Sequence, residues 1–151
     1  MAQSLAQVYI HLVFHTKYNS VTIREEDLPA LFAYVDGIIV NKKSMVIQIG
    51  GVPNHIHILC TLPRTVSMAD FVEDIKKSSS KWIKTLNPYY SQFAWQGGYG
   101  IFSVSASAVE KVKRYVVNQK EHHCKKTFRE EYEAFLQAYN IEYNPEFVFR
   151  D

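Results

Sequence analysis

His55 and His57 stand one residue apart, with Ile56 between them and Ile58 and Leu59 after them. The run reads as a β-strand, on which residues two apart point to the same face. Two imidazoles then project side by side from a rigid element, which is how a protein offers two nitrogen ligands to one metal ion. Further on, Tyr115 and Gln119 lie four apart in a segment of helical spacing and share a face. A nucleophile and a third candidate ligand travel together.

Two imidazoles and one carboxamide oxygen are three neutral ligands that leave positions for water and substrate, as in a catalytic metal site. With neither thiolate nor carboxylate, such a cage carries no negative charge and needs an anionic substrate, such as a phosphate, to hold a divalent ion. Imidazole by itself favours zinc or manganese over magnesium. A tyrosine phenol, with a pKa of about 10, is a weak nucleophile at neutral pH. A metal that polarises a phosphoryl oxygen makes its attack feasible. The product, a phosphotyrosine ester, stores the energy of the broken phosphodiester, so rejoining needs no ATP. The chain has no Walker-type loop.

Other histidines compete for roles. His122 and His123 follow Gln119 closely enough to replace it as ligands. His11 and His15 lie on an early strand and face the histidine pair if that strand is its neighbour. They could be core residues, supports behind the ligands or phosphate contacts.

The elements that must position these groups follow from the pattern. Leu5 to His15 is β-branched and aromatic, a strand. Arg24 to Asn41 carries helical spacing at Leu28, Leu31, Phe32, Val35 and Ile39, with Pro29 in the first turn. Ser44 to Ile49 is a strand, Gly50-Gly51 a turn, and Asn54 to Leu62 the histidine strand. Ser67 caps a helix with the apolar stripe Phe71, Val72, Ile75, Trp82 and Ile83 and the basic residues Lys76, Lys77, Lys81 and Lys84. After a loop from Asn87 to Gly100, Ile101 to Ser105 is the last strand. A helix capped by Ser107 runs to about Lys125, and Phe128 to Tyr139 forms another. The order βαββαβ predicts an α+β, ferredoxin-like antiparallel sheet with two helices on one face and extra C-terminal helices. The other face is left for the tyrosine helix and a ligand.

The 151 residues suggest one domain, residues 1–151. A net charge of +2 argues for local basic patches over a uniformly basic surface. Cys60 and Cys124 form neither a metal motif nor a disulfide framework. No window reaches the roughly 18 apolar residues of a membrane span, and the expectation is a cytoplasmic protein with no membrane partner.

The chain resembles the single-tyrosine HUH transposases of the smallest bacterial insertion sequences, the IS200-like kind. The likeness rests on Tyr9 to Tyr18, on Asn54-His55-Ile56-His57-Ile58-Leu59, on Phe71 to Trp82, on Trp95 to Val104 and on Tyr115 to His123. It implies that Tyr115 attacks a phosphate in single-stranded DNA, leaving a 5′-phosphotyrosine and a free 3′-hydroxyl. It also implies that His55, His57 and Gln119 hold Mg²⁺ or Mn²⁺. The implied partners are hairpin-bearing single-stranded DNA and a second copy of the chain, whose tyrosine helix can complete the first copy's site. Backbone contacts fall to Lys17, Lys76, Lys77 and Lys81. Many members carry Arg after the Lys-Tyr of the first strand, where this chain has Asn19.

Three other readings compete. A domesticated nuclease acting on repeated chromosomal hairpins would use the same residues. A non-catalytic single-strand binder would show exposed aromatics on the two central strands. A metal-binding or purely structural dimer would leave Tyr115 buried and away from the histidines.

Overall fold

The two middle strands are buried on both faces, one lined by apolar side chains and the other mainly by histidines. In the computed structural model, which describes residues 2–149, β1 (Tyr9–His15) and β3 (His55–Thr61) lie at the centre of a four-stranded antiparallel sheet. The edges are β2 (Val46–Val52) and β4 (Gly100–Val104), in the order β2-β3-β1-β4. Every residue of β3 is buried. The expected ferredoxin-like order holds, with the first and third strands as the central pair.

One face of the central pair carries Ile10, Leu12, Phe14, Ile56, Ile58 and Cys60. It packs under α1 (Leu28–Asn41) and α2 (Met68–Ile83). Each fully buried Ile, Leu or Phe there contributes about 1.5–3 kcal/mol. Ser67 caps α2 as expected, accepting from the Asp70 N–H. Ser79 sits on the buried stripe of α2 and remains satisfied. Its hydroxyl donates to the Ile75 carbonyl at 2.6 Å and accepts from the Trp95 indole at 3.0 Å. α1 begins at Leu28, after a 3-10 turn over Glu25–Asp27.

The other face carries His11, Val13, His15, His55, His57 and Leu59, and it is covered. Over it lie α3 (Val109–Val117), α4 (Gln119–His122) and α5 (Phe128–Ala138), while α6 (Pro145–Val148) adds to the rim. The second face was expected to be left for the tyrosine helix and a ligand; α5 covers it as well, because Phe128, Tyr132, Phe135 and Leu136 bury their apolar surface there.

The turn expected at Gly50-Gly51 is part of β2, and the reversal falls on Pro53-Asn54, between the paired Val52 and His55. The glycines serve a different need. A Cβ on Gly50 would stand 2.0 Å from the Val116 carbonyl oxygen, so glycine lets the α3 backbone lie directly on β2. Gly50 also pairs with His57 in the sheet. Gly50→Ala is expected to push α3 off the sheet at a cost of about 3 kcal/mol, read as a drop in the urea midpoint. A variant within about 0.5 kcal/mol of wild type would show that α3 does not rest on β2 in solution.

Candidate active site

The histidine strand brings its two imidazoles to the covered face, both fully buried. Register places His55 opposite His15 and His57 opposite Val13. His11 stacks on His57 with ring centroids 5.0 Å apart, and its Nε2 lies 2.7 Å from His57 Nδ1. Burial and the neighbouring His57 push the His11 pKa down to about 3, and burial pushes that of His55 down to about 4. His57 is lowered for the same reason. All three are neutral at pH 7.

Tyr115 and Gln119 reach this pair from their own chain. The single helix expected from Ser107 to Lys125 is instead α3 and α4, which meet at Asn118 (φ −93°, ψ 27°). The helical start is a 3-10 turn over Ala106–Ala108, and no side chain caps α3. Despite the break, the Gln119 amide nitrogen donates to the Tyr115 carbonyl at 3.1 Å. That contact orients the amide, so its oxygen faces the histidines, 3.3 Å from His55 Nε2 and 3.2 Å from His123 Nε2. The Tyr115 ring lies 5.7 Å from the His57 ring and packs against His122 at 4.4 Å.

A residue the sequence reading passed over completes the cluster. Glu131 of α5 is buried, with Oε1 2.9 Å from His57 Nε2 and 3.5 Å from His55 Nε2. Its Oε2 accepts from the Tyr115 hydroxyl and lies 3.4 Å from His123 Nε2. The cage is therefore not free of carboxylate, contrary to the expectation from His55, His57 and Gln119 alone. Burial by itself would raise the Glu131 pKa. The imidazoles of His55 and His57 and the Tyr115 hydroxyl beside it outweigh burial and hold the carboxyl well below its usual range. Burial and the Glu131 carboxylate together push the Tyr115 phenol above its ordinary value. The signal in the sequence is an interruption. Phe128, Tyr132, Phe135 and Leu136 recur at helical spacing, and Glu131 falls inside that stripe.

The donor atoms fit a divalent cation. His55 Nδ1 lies 2.7 Å from Asn54 Oδ1 and donates to it, which leaves Nε2 as a bare lone pair. Gln119 Oε1 and Glu131 Oε1, neither carrying a proton, each face that lone pair. Neighbouring ligands about 2.1 Å from one cation are about 3.0–3.4 Å apart, close to the 2.9, 3.3 and 3.5 Å observed. Of the described residues, His55, His57 and Glu131 form the cluster of histidine, cysteine and acidic groups able to hold a metal ion. His57 Nδ1 faces another histidine, which accepts or donates as needed, so either tautomer of His57 is satisfied.

The other residues singled out from the sequence scatter. His15 is buried beside Phe128 and its Nδ1 donates to the Thr16 carbonyl. Lys17 lines a cavity of about 490 Å³ with His15, Thr127 and Arg129. Lys76, Lys77 and Lys81 belong to α2, on the far side of the sheet from Tyr115. Lys76 donates to the Gln96 and Gly98 carbonyls, and burial lowers its pKa to about 8. With Lys77 and Trp95 it lines a separate cavity of about 600 Å³. Nearer the site, Lys125 and Lys126 line a cavity of about 460 Å³ that opens onto Tyr115, Glu131 and Phe135. Cys60 is buried and Cys124 exposed, both free. No helix among the described residues is long and apolar enough to cross a membrane.

Comparison with known proteins finds relatives of the chain. The ISDra2 transposase TnpA of Deinococcus radiodurans is 24% identical over 118 residues, which cover 75% of this chain and 84% of that protein. A crystal structure described as that of a transposase from D. radiodurans R1 superposes with a TM-score of 0.60 at 20% identity, over 79% of this chain and 98% of the other. A tyrosine transposase bound to a REP hairpin superposes with a TM-score of 0.51 at 13% identity, over 77% and 70% of the two chains. Residues 4–119, from the segment before the first strand to the glutamine beside the tyrosine, match the profile of IS200-like transposases, and the chain belongs to that family.

Proposed function

We propose that the protein cuts and rejoins single-stranded DNA at the hairpin-bearing ends of an insertion sequence by transesterification through Tyr115. The observation that carries this reading is the meeting of Tyr115, His55, His57 and Gln119 within one chain, with the phenol oxygen bonded to a carboxylate that also touches His57. Tyr115 Oη forms a bond to phosphorus while the bond from phosphorus to the 3′-oxygen breaks. The 3′-oxygen leaves and takes up a proton, becoming a free hydroxyl, and the phenol loses one. The 5′-phosphate remains esterified to Tyr115. Attack of a 3′-hydroxyl on that ester reverses the step and regenerates the tyrosine.

Mg²⁺ or Mn²⁺ held by His55, His57 and Gln119 would supply charge stabilisation at the phosphoryl oxygen. The chain's own groups do the rest. Gln119 is oriented by the Tyr115 carbonyl, and His11 supports His57. Lys125 and Lys126, which line the cavity beside Tyr115, contact the DNA backbone. Lys17 does so at the neighbouring cavity. Tyr115 serves the site of its own chain, so the homodimer implied by the resemblance is not needed to complete it.

The test is covalent capture. A labelled single-stranded oligonucleotide carrying the hairpin beside the gene is incubated with protein and Mg²⁺ or Mn²⁺, then run on a denaturing gel. A band of protein joined to DNA, lost with chelator, is the expected result. Binding with no covalent band across several hairpins and both metals would make the protein a non-catalytic single-strand binder.

A further inference from the structure

Residues 4–119 match the IS200-like profile, and Glu131 lies beyond them, on α5. A buried carboxylate is costly unless charge and hydrogen bonds compensate it. No basic residue of α5 does so, since Arg129 pairs with Glu133 at 2.9 Å. The nearby Glu130 is also committed elsewhere, to the capping box with Thr127. Glu131 alone turns inward, and everything that satisfies it belongs to the site: His55 and His57 at Oε1, Tyr115 and His123 at Oε2.

The two oxygens thus face different partners. Oε1 stands 3.5 Å from the lone pair of His55 Nε2, which itself lies 3.3 Å from Gln119 Oε1. Oε2 holds the nucleophile. We propose that Glu131 is a fourth protein ligand of the metal centre through Oε1 and, through Oε2, the positioning residue that holds the Tyr115 hydroxyl beside it. The proposal rests on the metal-site reading above and adds two things to it. The centre gains an anionic ligand, so it takes up a divalent cation without help from a DNA phosphate. The C-terminal helix, and not only the histidine strand, then decides how tightly it does so.

The experiment is a Mn²⁺ titration of the full chain without DNA, read as loss of the free-ion signal in electron paramagnetic resonance. Wild type, Glu131→Gln and His57→Ala are compared, each first shown folded by its melting curve. Wild type is expected to bind one Mn²⁺. Glu131→Gln keeps the shape but removes the charge and turns one acceptor oxygen into a donor, and is expected to bind at least about tenfold more weakly. At Mn²⁺ saturating each protein, Glu131→Gln is also expected to slow covalent capture while DNA affinity stays unchanged, which a merely structural glutamate would not do. If Glu131→Gln binds Mn²⁺ as tightly as wild type or tighter while His57→Ala loses it, the metal site stands and the carboxylate merely fills the cation's place. If wild type binds no Mn²⁺, the metal reading falls and this proposal with it. Should Glu131→Gln not fold, a Mn²⁺-soaked crystal of the wild-type chain decides: anomalous density in bonding contact with Glu131 Oε1 supports the proposal, and density on His55 and His57 alone overturns it.

Discussion

Tyr115→Phe is expected to abolish covalent capture of single-stranded DNA, a loss of at least about a thousandfold, while leaving DNA binding intact. The substitution deletes one oxygen. The phenyl ring keeps its packing against His122, His57 and Phe135. Glu131 loses the hydrogen bond from the phenol but keeps His57 at 2.9 Å and His123 at 3.4 Å. A buried hydrogen bond to a charged acceptor contributes about 1.5–3 kcal/mol, and relief from burying the hydroxyl offsets part of it. The melting temperature is therefore expected to shift by a few degrees at most. The measurement is the gel assay run on both proteins, beside their melting curves. A covalent band of wild-type intensity from Tyr115→Phe would mean that another residue is the nucleophile.

Acid is expected to unfold this protein unusually steeply when no metal is present. Folding lowers the pKa of His11 to about 3 and of His55 to about 4, and lowers that of His57. In the unfolded chain each titrates at about 6.5. Between these values the unfolded state binds protons that the native state refuses, so stability falls as pH falls below about 6.5. Each histidine contributes a slope of about 1.4 kcal/mol per pH unit. His11 and His55 together make about 3 kcal/mol per unit near pH 5, and His57 acts in the same direction. Glu131 adds to this at lower pH. Its folded pKa is depressed, so the stability it contributes is present above the unfolded carboxylate value and is lost as pH falls below it. A domain of this size has about 5–15 kcal/mol in total, so half-unfolding is expected between about pH 4 and 5 at room temperature. Urea midpoints in EDTA from pH 8 to pH 4.5 measure the slope. A flat profile between pH 7.5 and pH 5 would show that the histidines are solvated or already protonated in the native state.

Much of the frame was legible because it depends on local pattern. Ser67 before Phe71, Val72 and Ile75 marks a capped amphipathic helix whatever surrounds it. The βαββαβ order leaves few topologies, and it set the histidine strand beside the first strand, with His11 and His15 on the same face. Errors of boundary came where local rules compete. Gly50-Gly51 looks like a turn because glycine is common in turns, yet here it answers to the Val116 backbone lying on top of it. Tyr115 and Gln119 fit one helix by spacing, but the chain bends between them at Asn118.

By itself, then, the sequence determined the sheet order, the side-by-side histidines, the tyrosine and glutamine that meet them, and the family that the chain belongs to. Periods of two and of about 3.6 residues report which face a side chain takes, and that was enough for those features. Only the tertiary structure decided which charged residues are spent on the protein itself and which serve the site. Lys76 ties down the loop at Gln96 and Gly98, across the sheet from the chemistry. Glu131, one more acid on a C-terminal helix, lies buried against His57, 74 positions earlier in the chain. Periodicity can place a carboxylate on an apolar face, but whether that burial is tolerable depends on partners that only the folded chain brings within reach.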